Sequence, residues 1–363
     1  RRGRRWFPAL ARSGPRPPLT KTDKVRKTAN RPVGHSKGTS APRLHKLLAV
    51  PGCKPNMLND LLLLRPGDGH ESPEDNSSSN KHVVFFHGDI QNFQEEMASQ
   101  PECAPWLAWS LEQVSVTLGR RFPGHHVWVV RASRMYLHKF SGYRHFVDSN
   151  MFGAPQHAPY SPDGGALRHL RGFISIAHFT RKLTQCASQK YISKHLWTNL
   201  HCGCRSLLVH GMERAGLPNT IRAPGDASGT RAGFSLTLVG FSKGCVVLNQ
   251  VVHELAGALA DPRVSDFAGS LSDMFWLDGG HPGGSETWVT DRSLLGQLAT
   301  SGIGIHAHVT PYEVRDPTRA WVGREHACFV KTLEELGARL YDKLHFVDEP
   351  PSIENHFRVI QEF

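Results

Sequence analysis

Acidic residues are nearly missing from the first 48 positions of this 363-residue chain, where Asp23 stands alone against nine Arg and five Lys. The whole chain carries +11, so this stretch more than accounts for the excess, and the remaining 315 residues carry a net charge of −2. A basic groove for nucleic acid needs its charge on the folded body, which excludes that partner as the reading of the composition. Long apolar runs are also lacking. Leu61–Leu64 is four residues long, and Phe234–Phe241 is interrupted by Ser235, Thr237 and Gly240, so no transmembrane helix is expected. A disulfide framework is absent as well: seven cysteines are scattered over a long chain, which favours a reducing compartment. No internal repeat is present.

Residues 1–48 are rich in Arg, Pro, Ser and Thr and have no continuous apolar core of the kind a secretory signal needs. This composition suits a mitochondrial transit segment leading to the matrix, although Pro15, Pro17 and Pro18 limit any amphipathic helix. An unstructured basic leader is the competing reading. The chain begins at Arg1, so the true start is expected upstream. Residues 49–80 are expected to be a low-complexity linker, because RPGDGHESPEDNSSSN over 65–80 cannot bury a core.

From residue 81 to 363, short apolar runs alternate with segments of helical period. Strands are expected at Val83–Phe86, Val127–Val130, Phe234–Val239, Met274–Leu277, Ile303–Val309 and Leu344–Val347. Helices are expected over Leu107–Arg120, Phe173–Leu183, Gly244–Leu259 and Trp321–Leu340. Alternating strands and helices point to one α/β domain with a mostly parallel central sheet flanked by helices. About 188–233 reads as an irregular, loop-rich insertion, either a lid or an unordered stretch.

The sharpest chemical signal is Gly240-Phe241-Ser242-Lys243-Gly244. The apolar run FSLTLV leads into it, and CVVLNQVVHEL leads out with Val247, Leu248, Val251, Val252 and Leu255 at helical spacing. Strand, tight turn and helix are the setting in which G-x-S-x-G forms a nucleophile elbow. The turn lifts Ser242 Oγ above the sheet, and the helix N-terminus aims N–H groups at a developing oxyanion, with the Lys243 amide as one donor. A second donor is expected from Phe86-His87-Gly88-Asp89-Ile90, through the amide of Asp89 or Ile90. A glycine-rich turn with no chemistry, or a phosphate-binding turn, is the alternative for this segment.

A serine needs a base and an acid, expected in the order Ser, Asp/Glu, His. Asp316, beyond the strand ending at Val309, is the first choice for the acid, and Asp278, at the end of the strand Met274–Leu277, is the reserve. Either aspartate could instead shape a turn. His326 falls in an expected helix and His345 in an expected strand, and His281 shares the loop of Asp278. His356 is expected on the loop after the last strand and is therefore the expected base, with a surface histidine on a carboxy-terminal helix as the alternative. Cys202-Gly203-Cys204 with His195 and His201 lacks the second ligand pair of a structural zinc site, so no metal or other cofactor is expected. Cys245 reads as a small packed side chain.

LTLVGFSKGCVVLNQ, FWLDGGHPGGSETWV, HVTPYEVRDPTRAWVGREH, PPSIENHFRV, FHGDIQNF and HVWVVRASRMYLHKFSGYRHFVDSNMFGAP together resemble an animal family of mitochondrial α/β-hydrolase-like proteins whose substrate is not established. The resemblance spans most of 81–155 and 234–363. It implies an α/β-hydrolase fold, a mitochondrial address and a serine hydrolase with Ser242, Asp316 and His356 as its triad. The substrate expected is a small-molecule ester or thioester, lipid-like substrates included. The alternative is a non-catalytic hydrolase-like module that binds a protein or metabolite partner.

Overall fold

In a computed structural model of the chain, residues 43–66, 80–171, 207–217 and 234–363 are described. Eight strands make the central sheet: β1 (Arg43–Pro51), β2 (Leu58–Arg65), β3 (Lys81–Phe86), β4 (His126–Val130), β5 (Ser235–Phe241), β6 (Leu271–Leu277), β7 (Gly304–Val309) and β8 (Leu340–Leu344). Their spatial order is β1-β2-β4-β3-β5-β6-β7-β8. Strand β2 runs antiparallel to both of its neighbours, and every pair from β4 to β8 is parallel.

The central parallel strands β3, β4 and β5 bury both faces, which is why they read as apolar runs, whereas the edge strand β8 is mostly exposed. Side chains alternate between two cores. Val84, Phe86, Trp128, Val130, Met274 and Trp276 face one core. Val83, Phe85, Val127, Val129, Phe275 and Leu277 face the other. The first core is covered by α2 (Ala166–Leu170), α3 (Leu207–Arg214), α4 (Cys245–Ala260), α5 (Arg292–Thr300) and α6 (Ala320–Glu335). The second is covered by α1 (Leu111–Arg121) and α7 (Ile353–Glu362). All five residues of the expected α4 stripe are buried.

Three expectations are corrected. The leader and linker do not extend to residue 80, because 43–51 and 58–65 are strands β1 and β2. Leu61, Leu62 and Leu63 are buried where β2 pairs with Val130, Val129 and Trp128 of β4. The last strand is Leu340–Leu344 and not Leu344–Val347: α6 stops at Glu335, Gly337 takes φ +67°, and Leu340 pairs with Ile305. The loop-rich insertion is not irregular throughout, since Leu207–Arg214 is helix α3 with Leu207, Leu208 and Met212 buried. The rest of that insertion, the expected helix Phe173–Leu183, Cys202-Gly203-Cys204 with its histidines, the leader up to residue 42 and the polar stretch 67–79 lie outside the described residues. Among the described residues, no helix is long and apolar enough to cross a membrane.

The turn between β5 and α4 is tightly constrained. A Cβ on Gly244 would overlap the carbonyl oxygen of Phe86, so β3 and the start of α4 touch backbone to backbone. Gly244→Ala is expected to cost about 1–3 kcal/mol in urea unfolding, because neither backbone can yield without shifting a central strand. An unchanged midpoint would contradict this contact.

Candidate active site

Strand register sets the site. Leu277 at the end of β6 pairs with Phe241 at the end of β5 and with His308 of β7, and Phe86 of β3 pairs with Gly240. The carboxyl ends of β3, β5 and β6 are therefore level, and the residues that follow them, His87-Gly88, Ser242 and Asp278, emerge side by side. Neighbouring strands lie about 4.8 Å apart. Non-glycine residues leave these ends with left-handed backbone: Ser242 at φ +51°, Asp278 at φ +48° and Ile90 at φ +71°. Each such residue costs about 1–3 kcal/mol, strain that folded proteins concentrate at functional sites.

Ser242 is partly exposed on the turn ahead of α4. A Cβ on Gly88 would lie 2.7 Å from Ser242 Cβ, so the loop after β3 rests against the serine. From the other side, the Gly280 N–H donates to the Ser242 carbonyl at 3.3 Å. Cys245 is fully packed beneath the turn, its Sγ donating to the Gly240 carbonyl, and burial raises its thiol well above the usual range. Lys243 is 5% exposed; its Nζ donates to the Gly153 carbonyl. Burial lowers the Lys243 ammonium to about 8, against the opposing pull of the nearby Asp89 carboxylate.

His356 lies in the first turn of α7 and not on a loop, its backbone N–H donating to Ser352 O at 3.1 Å while Ser352 Oγ caps Asn355. The imidazole is buried against Phe241, at 4.7 Å between ring centroids, and Tyr312, at 5.2 Å. Its Nδ1 lies 2.6 Å from Asp278 Oδ2. Asp278 has no exposed surface; it also accepts from Thr310 N at 2.7 Å and Thr310 Oγ1 at 2.6 Å. Two fixed donors therefore hold the carboxylate that faces the imidazole.

Asp316, the acid expected first, is elsewhere. It caps a short turn, accepting from Thr318 N at 2.8 Å, Thr318 Oγ1 at 2.7 Å and Arg319 Nε at 2.8 Å. The reason is local: after β7 the chain winds into the short helix Pro311–Val314, which carries Asp316 past the site. That helix instead delivers a residue the sequence reading passed over. Glu313 is 4% exposed, with Oε1 4.0 Å from His356 Nδ1 and Oε2 2.7 Å from Arg319 Nη1. Burial raises its carboxyl to about 7, opposed by His356 and Arg319. Its one sequence signal was its place two residues after Pro311 on the loop expected to carry the acid.

The oxyanion expectation is also narrowed. The Ile90 N–H donates to the Lys139 carbonyl at 2.6 Å and so is committed elsewhere, whereas the amides of Lys243 and Asp89 keep their candidacy. The Asp89 carboxylate accepts from Ser141 N and Ser141 Oγ at 2.8 and 2.7 Å. Together with Lys243 and Gly153, this fastens the segment after β4 beside the serine. The other histidines are engaged: His281 meets the Pro282 and Glu286 carbonyls, His326 pairs with Asp342, and His345 lies against His308 at 2.9 Å. Among the described residues, no group of three His, Cys, Asp or Glu side chains could hold a metal ion.

The strand order with its antiparallel β2, the helices on both faces and the serine at the β5–α4 turn define an α/β-hydrolase fold. The chain belongs to the C2orf69 family, whose model matches residues 46–339. It is 57% identical over 339 residues to the mitochondrial protein C2orf69 homolog of Danio rerio, covering 90% of this chain and 88% of that protein. It is 42% identical over 373 residues to the Mus musculus homolog, covering 98% of each. Among solved structures, it is similar to a Mycobacterium tuberculosis puromycin-hydrolyzing peptidase (10% identity, TM-score 0.41, 88% of this chain and 38% of that one). It is also similar to a ferulic acid esterase (8% identity, TM-score 0.40, 88% of this chain and 95% of that one).

Proposed function

We propose that the protein is a mitochondrial serine hydrolase acting on a carboxylic ester or thioester, with Ser242 as nucleophile, His356 as base and Asp278 as the acid. The observation that carries this reading is the buried 2.6 Å contact between Asp278 and His356 Nδ1. It joins the ends of β6 and α7 beside the left-handed turn that presents Ser242. Asp278 holds the Nδ1–H tautomer, which leaves Nε2 to take the Ser242 proton and later return it to the leaving group. The amides of Lys243 and Asp89 receive the negative charge that develops on the carbonyl oxygen. The reading includes a transit segment in the leader and a matrix address; the acid-poor, basic composition of the leader supports the first, and the relatives are named mitochondrial proteins.

The test is covalent labelling by a fluorophosphonate. Purified protein is expected to label at one site, and Ser242→Ala to abolish that labelling without altering the circular dichroism spectrum. Folded wild-type protein that stays unlabelled at every pH from 6 to 9 would exclude the reading.

A further inference from the structure

His356 Nδ1 faces two carboxylates, not one. Asp278 Oδ2 is 2.6 Å away and Glu313 Oε1 4.0 Å away. Glu313 is not there by accident of a surface loop. Its side chain is 5% exposed, Arg319 Nη1 holds Oε2 from behind at 2.7 Å, and the loop after β6 makes room for it. A Cβ on Gly280 would lie 2.7 Å from Glu313 Oε2, so any other residue at 280 would displace the carboxylate. Arg319 in turn is shared with Asp316. The result is a chain of charge from the partly exposed Asp316 through Arg319 and the buried Glu313 to the imidazole, with Asp278 on the other flank. Tyr312 faces the same ring, and Cys245 is the remaining titratable neighbour of Glu313.

We propose that Glu313 is a second carboxylate acting on His356, a positioning residue that sets how firmly the imidazole holds the proton it takes from Ser242. This deepens the serine-hydrolase reading and rests on it. The charge count gives the reason. With neutral imidazole, Asp278 and Glu313 face the ring with two negative charges against the one positive charge of Arg319, which Asp316 shares at its partly exposed end. Removing water from such a cluster disfavours its excess negative charge, so it accepts an extra proton readily. Glu313, whose carboxyl burial raises to about 7, is the other group of the cluster that can hold that proton.

Two variants move this balance in opposite directions. Glu313→Gln removes a negative charge, so the cluster binds its extra proton less firmly. The acid limb of the pH dependence of fluorophosphonate labelling is expected to move down by about one pH unit and to become a single step. Arg319→Gln removes the positive charge that opposes the proton, so the limb is expected to move up. Loosening of the fold alone would shift both variants the same way or leave both limbs in place, and either result overturns the proposal. Should Glu313→Gln fail to fold, the upward shift in Arg319→Gln decides.

The imidazole of His356 is also followed by NMR in Ser242→Ala protein, with and without Glu313→Gln. This readout needs no reaction. If wild-type protein does not label, the hydrolase reading fails, while the NMR titration still shows whether Glu313 governs the proton on His356. An unchanged titration of His356 refutes the role of Glu313 even where labelling succeeds.

Discussion

Asp278→Asn protein is expected to react with a fluorophosphonate about 10⁴-fold more slowly than wild type, the cost that loss of the tautomer-fixing acid carries in serine proteases, while Asp316→Asn stays within about threefold. Geometry dictates the difference. Asp278 Oδ1 accepts from the Thr310 N–H, so an asparagine there would keep its carbonyl oxygen on that donor. Its NH₂ would then occupy the place of Oδ2, facing His356 Nδ1 and the Thr310 hydroxyl. A donor in that place forces His356 to accept at Nδ1 and to carry its proton on Nε2, the tautomer that cannot take a proton from Ser242. The substitution is nearly isosteric, and Asn249 is a buried amide elsewhere in the same core, so folding is retained. Asp316, by contrast, only caps a turn and shares Arg319, and Arg319 keeps its bond to Glu313 when Asp316 is neutralised. Labelling rates of the two variants at pH 8 provide the check. Fast labelling of Asp278→Asn together with slow labelling of Asp316→Asn would restore the acid to the position that sequence order favours.

Acid is expected to unfold the protein cooperatively, with a midpoint between pH 5 and 4. Burial lowers His82, His169 and His308 to about 3 and His87 to about 4 from an ordinary 6.5. Each is engaged as a neutral ring. His82 Nδ1 accepts from Trp128 Nε1, His87 Nε2 from the Ala132 N–H, and His169 Nδ1 from the Cys53 N–H. The sign follows from which state binds protons. These folded values lie below the unfolded one, so the stability is fully present above pH 6.5. It is lost as pH falls from 6.5 toward 4 and 3, because only the unfolded chain takes up protons there.

The buried carboxyls of Glu254 and Glu313, both raised to about 7, work the other way between pH 7 and 4.5. Each group contributes about 1.4 kcal/mol per pH unit. His126, His157 and His345, lowered by burial to about 4, add to His82, His87, His169 and His308, so the histidines outweigh the two carboxyls by at least about 5 kcal/mol at pH 4.5. That equals the whole stability of a marginal domain, about 5–15 kcal/mol, and below pH 4.5 the offset from the carboxyls ends. Near-UV circular dichroism and the fluorescence of Trp128, which has no exposed surface, report the transition. A native spectrum at pH 3.5 would show that these rings are not held neutral.

Elements whose signal is local were legible from residue types alone. Strand β5, the turn at Ser242 and helix α4 follow one another without a break, so apolar run, glycines and helical stripe identify all three. Strands β1 and β2 were missed because their signals depend on partners. Strand β1 lies at the sheet edge with mostly exposed side chains, and β2 is an antiparallel strand whose leucines are buried only through pairing with β4. Beside a basic leader and a polar stretch, both resembled linker. The hydrogen bond that commits the Ile90 amide to Lys139 joins positions 49 residues apart, and no local pattern foretells it.

The α/β class and the candidacy of Ser242 and His356 are legible along the chain, because apolar period, turn chemistry and chain order are local. The sequence also located the charge: nine Arg and five Lys against one Asp put the basic excess in the first 48 residues, away from the catalytic candidates. Which carboxylates reach His356 depends on tertiary packing. Asp278 and Asp316 each follow a parallel strand, and residue type and order suit both. The register that levels Leu277 with Phe241, and the short helix after Val309 that turns Glu313 inward and Asp316 outward, separate them. A contact of 2.6 Å between residues 78 positions apart depends on how strand ends align across the sheet, and packing alone sets that alignment.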